Sequence, residues 1–159
     1  MLNWIKFIVV FLLTLTTVIT VIVLYNANQP ISAAKKVAIE AALASGQLTS
    51  ASSAEIFNGT TSFVTVYGKG EDGVEKAVFV GGNSEDGFPE VTMADGISGD
   101  QAVENVKQEL NVKTIHHVVL GMEEKGPVWE VTFQGDNGKL NYVYVFFEDG
   151  QWWKRILNL

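Results

Sequence analysis

Two segments of the chain begin in the same way and lie 66 residues apart. Residues 31–43 read ISAAKKVAIEAAL and residues 97–110 read ISGDQAVENVKQEL; each opens with Ile-Ser, and each has a Val five residues after the Ser. A serine ahead of an apolar-periodic run is a typical N-cap, because its hydroxyl accepts a hydrogen bond from a free N–H of the first helical turn. The repeat therefore predicts a chain built from two copies of one unit that opens with a helix.

The second copy has the clearer helix pattern. Ser98 stands at the N-cap, Gln101 falls where its side chain completes a capping box, and Asp100 favours the positive end of the helix dipole. Apolar residues then recur at spacings of three and four and form one stripe: Val103, Val106 and Leu110.

The first copy predicts a similar helix with a broader stripe. Ser32 is the expected N-cap, and Gly46 is the expected stop. The apolar positions between them are Val37, Ala41 and Ala44, widened by Ile39 and Leu43.

Alternating apolar runs follow each helix and are joined by turns rich in Gly, Asp and Asn. This pattern is typical of antiparallel hairpins. Related features recur at nearly the same offset: Phe63 and Trp129 are 66 residues apart, and the turns GEDG (70–73) and GDNG (135–138) are 65 apart. Each unit is therefore predicted to be α+β, with one helix packed on about three antiparallel strands.

The segment 81–96 contains Gly, Pro89 and acidic residues and is predicted to join the two units. Within the second unit, residues 140–147 are apolar at both odd and even positions. A strand that is apolar on both sides is normally buried on both. We therefore expect the other lobe to cover the face of the second sheet that its own helix leaves free.

The first part of the chain has the composition of a membrane helix. Residues 7–25 read FIVVFLLTLTTVITVIVLY, 19 residues without a charge. At about 1.5 Å per residue this run spans roughly 28 Å, close to the hydrocarbon thickness of a bilayer. A cleaved signal peptide is the alternative, but it has a shorter apolar core and an A-x-A cleavage site. We expect an uncleaved signal anchor at residues 5–25.

The orientation of this anchor is predicted from the charges around it. Lys6 and the amino terminus favour a cytoplasmic N-terminus, whereas Lys35 and Lys36 act in the opposite sense. The part of the chain beyond the anchor is acidic and has no cysteine. We therefore predict a single-pass protein of the cell membrane with an extracytoplasmic C-terminal domain.

Charge and cysteine content exclude several classes of function. All 18 acidic residues and ten of the 11 basic residues lie beyond Ala27. This acidic part repels phosphates, so we expect no nucleic acid partner. The chain has no cysteine, which excludes disulfides, thiol catalysis and thiolate metal sites.

Polar motifs are predicted to have structural roles. His116 and His117 are adjacent in a strand, so alternation should direct their rings to opposite faces and away from a shared ion. The sequence EDG occurs at 71–73, 85–87 and 148–150 and Asn-Gly-Thr at 58–60, which are turn sequences. No Ser stands in a G-x-S-x-G elbow. We expect no enzyme activity, no catalytic or metal-binding residues, no cofactor and no small-molecule substrate.

Trp152 and Trp153 are the most suggestive pair for binding. In a strand one indole faces the core and the other faces outwards, unless the other lobe covers it. An exposed Trp is a frequent anchor of protein interfaces. Two interpretations stay open: core packing on both faces, or a partner-binding surface at one of these residues.

The order of these elements resembles a known family. An anchor, two Ile-Ser-x-x-x-x-Val helices each followed by a sheet, the strand GPVWEVTF and the closing FFEDGQWWKRI are similar to the TseB (YpmB)-like cell wall elongation regulators of Gram-positive bacteria, which carry tandem PepSY-like, cystatin-like domains. The resemblance implies an anchor at residues 1–28, a first unit at 29–86, a join at 87–96 and a second unit at 97–159.

The resemblance also implies a function. The family suggests a membrane-tethered, extracytoplasmic, non-enzymatic regulator or interaction module of the cell envelope that binds a class B penicillin-binding protein. No catalytic or ligand residues come with it. The alternative is a PepSY-type inhibitor or chaperone of an envelope peptidase, because PepSY-like folds also occur in propeptides.

Overall fold

The computed structural model describes residues 2–81 and 87–159, with side chains except those of residues 2 and 26–28. Within these ranges the chain forms two α-helices, one turn of 3-10 helix and eight strands. In chain order they are α1 (Leu2–Ala44), β1 (Ser50–Asn58), β2 (Ser62–Lys69), β3 (Glu75–Val80), β4 (Glu90–Thr92), the 3-10 turn (Met93–Asp95), α2 (Gly99–Glu109), β5 (Val112–Glu123), β6 (Gly126–Gly135), β7 (Leu140–Phe146) and β8 (Trp152–Ile156). The chain divides into two compact units, residues 1–36 and 37–159.

Helix α1 contains the whole uncharged run and is long and apolar enough to cross a membrane. Thr14, Thr17 and Thr20 donate hydroxyl hydrogen bonds of 2.8–2.9 Å to main-chain carbonyls four residues earlier. These bonds satisfy the hydroxyl donors within the helix itself, which makes threonine compatible with a hydrocarbon environment.

Helix α1 continues beyond the expected anchor. It runs through Pro30 and Ser32 to Ala44, so the prediction that Ser32 caps a separate helix is wrong. A proline removes one hydrogen bond from the helical ladder, but here the helix continues past it. The N–H groups that follow Ser32 have carbonyl partners in the preceding turn, which leaves a capping hydroxyl without a function.

The first lobe comprises residues 37–81 and 87–95, and its strands form an antiparallel sheet in the order β1-β2-β3-β4. The prediction of about three strands missed β4, which lies in the segment expected to be only a join. Strand β4 pairs with β3, and Lys76 forms a 2.8 Å salt bridge with Glu90 across the pair. A strand of three residues is too short for hydrophobic periodicity to reveal.

The end of α1 packs on one face of this sheet through alanines. Ala38 and Ala42 are buried there, whereas Val37 from the predicted stripe is 64% exposed. The predicted stripe and the buried alanines both have helical spacing, so periodicity alone did not distinguish them. The smaller side chains face the sheet because they let the helix lie close to it. Gly46 follows the helix with a φ of 77°, which confirms it as the stop. The alanines pack with Leu48, Ala54, Val66 and Val78.

The second lobe comprises residues 97–159, with α2 on one face of an antiparallel sheet in the order β5-β6-β7-β8. Its capping box is confirmed. The Gln101 N–H donates to the Ser98 hydroxyl at 3.2 Å, and the Ser98 N–H donates to the Gln101 side chain at 2.8 Å. The inward face of α2 buries Ala102 and Val106, with Val103 and Leu110 half-buried beside them. This sheet also has four strands, one more than predicted.

The two hairpin turns predicted at 70–73 and 135–138 have the same hydrogen bonds. In the first, the Gly70 N–H donates to the Val74 carbonyl at 3.0 Å and the Gly73 N–H to the Gly70 carbonyl at 3.0 Å. In the second, the corresponding bonds join Gly135 to Lys139 and Gly138 to Gly135, each at 2.9 Å. The last glycines have φ angles of 75° and 76°, which a residue without Cβ adopts most readily. The sequence repeat is therefore also a structural repeat.

The first lobe covers one edge of the second sheet, which would otherwise be open to solvent. Strand β5 is an edge strand, yet the Leu120 N–H donates to the Tyr67 hydroxyl at 3.2 Å, and the Leu120 carbonyl accepts a 2.5 Å hydrogen bond from the Thr65 hydroxyl. Burial raises the pKa of Tyr67 to about 12, so this hydroxyl is uncharged at physiological pH. Side chains of β2 therefore take the place of a neighbouring strand.

Phe57 is a fully buried apolar contact between the lobes. Its side chain is fully buried and packs with Val119, Val128 and Tyr144 of the second lobe. A Cβ on Gly121 would lie 2.2 Å from the Phe57 ring, so the ring occupies the space that only a glycine leaves open. The β1–β2 hairpin, predicted at Asn-Gly-Thr, is confirmed.

We predict that Ser98→Ala lowers the free energy of unfolding by about 1 kcal/mol, because it removes a working N-cap. Ser32→Ala is the matched control from the other copy of the repeat, and it should have almost no effect because its site lies inside α1. Chemical denaturation of the full chain in detergent measures both. Equal losses for the two variants would contradict this account of α1.

We predict that Phe57→Ala destabilises both lobes together by roughly 3–5 kcal/mol, because a fully buried ring at their contact is lost. Phe146→Ala, at a half-buried position of the second lobe, should cost less. Amide hydrogen exchange resolves the two sheets separately. If the second sheet keeps its protection while the first loses it, the lobes are independent.

Candidate interaction surface

Strand β8 places the two adjacent tryptophans on different faces of the second sheet. Trp152 pairs with Val145 and packs on the core beneath α2, whereas Trp153 packs with the cluster around Phe57 and Tyr144. A register shift puts one extra residue into β8 at this point. Both indoles are half-buried, so packing and a remaining accessible surface coexist at each residue.

The polar and aromatic surfaces of Trp152 have partners within the second lobe. Its indole N–H donates to a Glu109 carboxylate oxygen at 2.5 Å. The guanidinium of Arg155 stacks 3.6 Å from the ring centroid and forms a 2.7 Å salt bridge with the other Glu109 oxygen. Trp152 therefore links β8 to the end of α2.

Trp153 lies on the face that α2 does not cover. Its ring meets Tyr144 edge to face, with centroids 5.8 Å apart, and the Lys154 ammonium lies 5.7–5.8 Å from the centroids of both rings. Around buried Tyr144, four half-buried apolar side chains form a surface that we call the open face: Tyr142, Phe146, Trp153 and Ile156.

The open face was only partly foreseen from the sequence. The run 140–147 is apolar on both sides, and we expected the other lobe to cover the second side. Phe57 and Phe63 of the first lobe do pack in the same cluster as Tyr144, which is buried. Tyr142 and Phe146 on the same strand are only half-buried. Their alternation with valines was the signal that identified them.

Two acidic residues near the open face have structural contacts. The Glu123 carboxylate accepts a 3.0 Å hydrogen bond from the Thr60 N–H, which ties it to the β1–β2 hairpin. Glu130 is 8% exposed and accepts a 3.3 Å bond from the Thr132 hydroxyl. Burial raises the pKa of Tyr144, and its hydrogen bond to Glu130 adds to the effect, so this phenol stays protonated.

The histidine pair lies at an irregular point of β5. The register shifts between Ile115 and His117, so the alternation on which the opposite-face prediction rested is interrupted at His116. His116 is exposed and His117 half-buried. Within residues 2–81 and 87–159, no group of three or more His, Asp or Glu side chains is arranged to hold a metal ion.

Two of the three EDG sequences have the turn role predicted for them. Asp72 accepts a 3.0 Å hydrogen bond from the Val74 N–H, and Asp149 accepts one of 2.9 Å from the Gln151 N–H. The third, at 85–87, begins outside the described residues. These carboxylates stabilise tight turns.

One Ser-x-x-Lys spacing, from Ser32 to Lys35, occurs within α1. In penicillin-binding enzymes such a pair is accompanied by Ser-Asp-Asn and Lys-Thr-Gly motifs. Neither motif occurs in the sequence. The spacing alone therefore assigns no catalytic role to Ser32.

Comparison with known proteins gives two matches. Residues 37–81 match the family model of the cell wall elongation regulator TseB-like domain. Among solved structures, the YpmB protein from Bacillus subtilis is similar, with 27% sequence identity and a TM-score of 0.67 over 76% of this chain and 94% of that one. No curated protein is significantly similar in sequence.

The family model matches part of the sequence, and the solved structure matches the fold. The family model covers the first lobe from the end of α1 through β3, and it describes a regulator domain rather than an enzyme. The solved structure shares the α+β arrangement of two small antiparallel sheets with helices. The family model and the solved structure together support the assignment of this chain to a TseB/YpmB-like family.

Proposed function

We propose that this chain is a membrane-tethered, extracytoplasmic regulator of cell wall elongation that acts by binding a class B penicillin-binding protein. The TseB-like domain carries the general role of a regulator. Helix α1 provides a segment able to anchor it in the membrane. The specific partner follows from the family resemblance.

The open face is the contact surface in this proposal. It combines aromatic and aliphatic side chains that are half-buried within the lobe. Such a surface gains most from a partner, because the remaining apolar area leaves water on binding. The edge-to-face contact with Tyr144 holds the Trp153 ring in one orientation, which lowers the entropy lost on binding.

The mode of action in this proposal is non-enzymatic. Glu123 and Glu130, near the open face, each accept a hydrogen bond from a main-chain or neighbouring group, and the second carboxylate oxygen of Glu123 is buried without a hydrogen-bond partner among the described residues. A protein of this kind influences wall synthesis through the position or activity of the enzyme that it binds.

We predict that Trp153→Ala weakens partner binding by about 2 kcal/mol, roughly a 30-fold change in Kd, because it removes the largest side chain of the open face. Trp152→Ala is the matched control. It should instead lower the free energy of unfolding by about 3 kcal/mol through lost packing beneath α2. Crosslinking yield to the class B penicillin-binding protein in growing cells, compared with melting temperature, separates the two effects.

The proposal for the open face fails if neither variant changes the yield while both fold normally. A loss of yield in Trp152→Ala alone, at unchanged melting temperature, would place the contact on the opposite face of β8.

We predict that protease added to intact protoplasts removes the chain beyond the membrane span and leaves only the span protected. The reasons are Lys6 and the amino terminus before the span and the acidic composition beyond Ala27, which together outweigh the opposite effect of Lys35 and Lys36. Immunoblotting with antibodies against the second lobe measures the loss, and a cytoplasmic protein is the control. Full protection of the second lobe would reverse the proposed orientation.

A further inference from the structure

The two sheets have four edge strands, and three of them are shielded. Strand β4 has only three residues. Strand β8 has five, carries Lys154 and Arg155, and contains a register shift. The edge of β5 is covered where Leu120 bonds to side chains of β2. Short length, basic residues, bulges and coverage are the usual means by which proteins prevent an edge from pairing with another chain.

Strand β1 lacks most of these protections before Phe57, the residue near its end that packs against β5. It has nine residues, Ser50–Asn58, with the sequence SASSAEIFN, which contains neither Lys nor Pro. Within the described residues it pairs only with β2. One register shift at Ser52 leaves six regular residues after it. An edge of this kind presents a row of N–H and C=O groups that an added strand satisfies.

Two cavities lie beside this edge and share Tyr67 in their walls. One has a volume of about 320 Å³ and is bordered by Ser53 and Glu55 on the β1 side, with Trp129 also in its lining. The other has a volume of about 230 Å³ and is bordered by residues 50–52, with Met93 also in its lining. Since alternate side chains of an added strand point to the same side, about 6.6 Å apart, a strand on β1 directs side chains towards these cavities.

The chemistry of the edge indicates what occupies it. In a second copy of β1 the large residue Phe57 is already fully buried within its own fold, so that copy would bring Ser53 and another Glu55 to the cavities, which leaves them unfilled and places like charges close together. Asp100 adds a second carboxylate to the larger cavity. The chain carries a net charge of −7. The smaller cavity is lined by two lysines as well as Glu75, so the acidic part of the edge is the one beside the larger cavity. A different chain, with large apolar side chains and a basic residue placed at that part, fits this edge better.

We propose that β1 is a docking strand, to which an extended segment of a partner protein adds as a fifth strand of the first sheet, with alternate apolar side chains in the cavities beside Tyr67 and a basic residue beside the larger cavity. The edge belongs to the first lobe, the larger cavity beside it also has Asp100 and Trp129 of the second lobe in its wall, and neither requires the open face. This docking strand therefore goes beyond the proposed function.

Site-specific photo-crosslinking in living cells tests the proposal on the full chain in its membrane. A photoreactive amino acid is placed singly at Ser50, Ser53 and Asn58, which are exposed positions along β1. Mass spectrometry then identifies the crosslinked residues. We expect one segment of one partner, with its crosslinked residues advancing steadily as the probe moves along β1. Crosslinks to a second copy, scattered crosslinks, or none at all would overturn the proposal.

Ser53→Lys tests whether the edge itself is required. It places a charged, bulky side chain at the edge, and we expect it to lower the yield from the probes at Ser50 and Asn58 by at least about tenfold. Thr114→Lys, at an exposed position of β5, is the control and should leave the yield unchanged. If Ser53→Lys fails to fold, Ser50→Lys with the probe at Asn58 replaces it. An unchanged yield in a folded variant would overturn the proposal.

A probe at Trp153 separates this inference from the proposed function. Its crosslinks report the open face, and we expect Ser53→Lys to leave them unchanged. Loss of the β1 crosslinks with intact Trp153 crosslinks supports a separate docking strand. Loss of both sets in a folded variant means one shared surface, which contradicts the docking strand proposed here.

Discussion

The hydrogen bonds at Leu120 connect the two halves of the folded domain. The unpaired N–H and C=O groups of an edge strand form hydrogen bonds with water. Burying these groups without other partners costs about 1–3 kcal/mol each. Here Thr65 and Tyr67 of β2 supply the partners, and Phe57 packs on Gly121 close by. The first lobe can cover β5 only in an arrangement that keeps both hydrogen bonds, so these contacts determine which surfaces of each sheet remain accessible.

The two copies of the repeat have diverged in what they expose. The first sheet is used on both faces, because the end of α1 packs on one and the second lobe on the other. Its accessible feature is the edge of β1. On one face the second sheet packs against α2 and part of the first lobe, and on the other face it is partly covered by the first lobe, so its accessible feature is the open face. Two similar arrangements of helix and sheet thus give two different kinds of surface.

These surfaces are consistent with a regulator that acts by contact. The matched family is a regulator domain, and several acidic residues have local structural roles. Asp72 and Asp149 stabilise turns, and Glu109 holds Trp152 to the end of α2. The open face and the edge of β1 offer apolar side chains and main-chain groups, which are suited to contacts with other proteins.

The sequence by itself determined the helix that is long and apolar enough to cross a membrane, the repeat, the α+β class, the capping box at Ser98 and the hairpin turns. Each of these depends on interactions among residues close together in the chain, such as the bonds from Gln101 to Ser98. Local chemistry therefore predicts them. The apolar alternation along β7 also indicated which strand would contribute to the open face.

Only the tertiary structure decided the rest. The local pattern at Ser32 is that of a helix start, but the preceding helix continues through it because its carbonyls already pair with the N–H groups that follow. Strand β4 exists because β3 offers it a partner, and Ala38 rather than Val37 faces the sheet because of how closely the helix packs. The contact of Tyr67 with Leu120 covers the edge of β5, and these two residues are 53 positions apart in the chain. Contacts over such distances leave no local signal in the sequence.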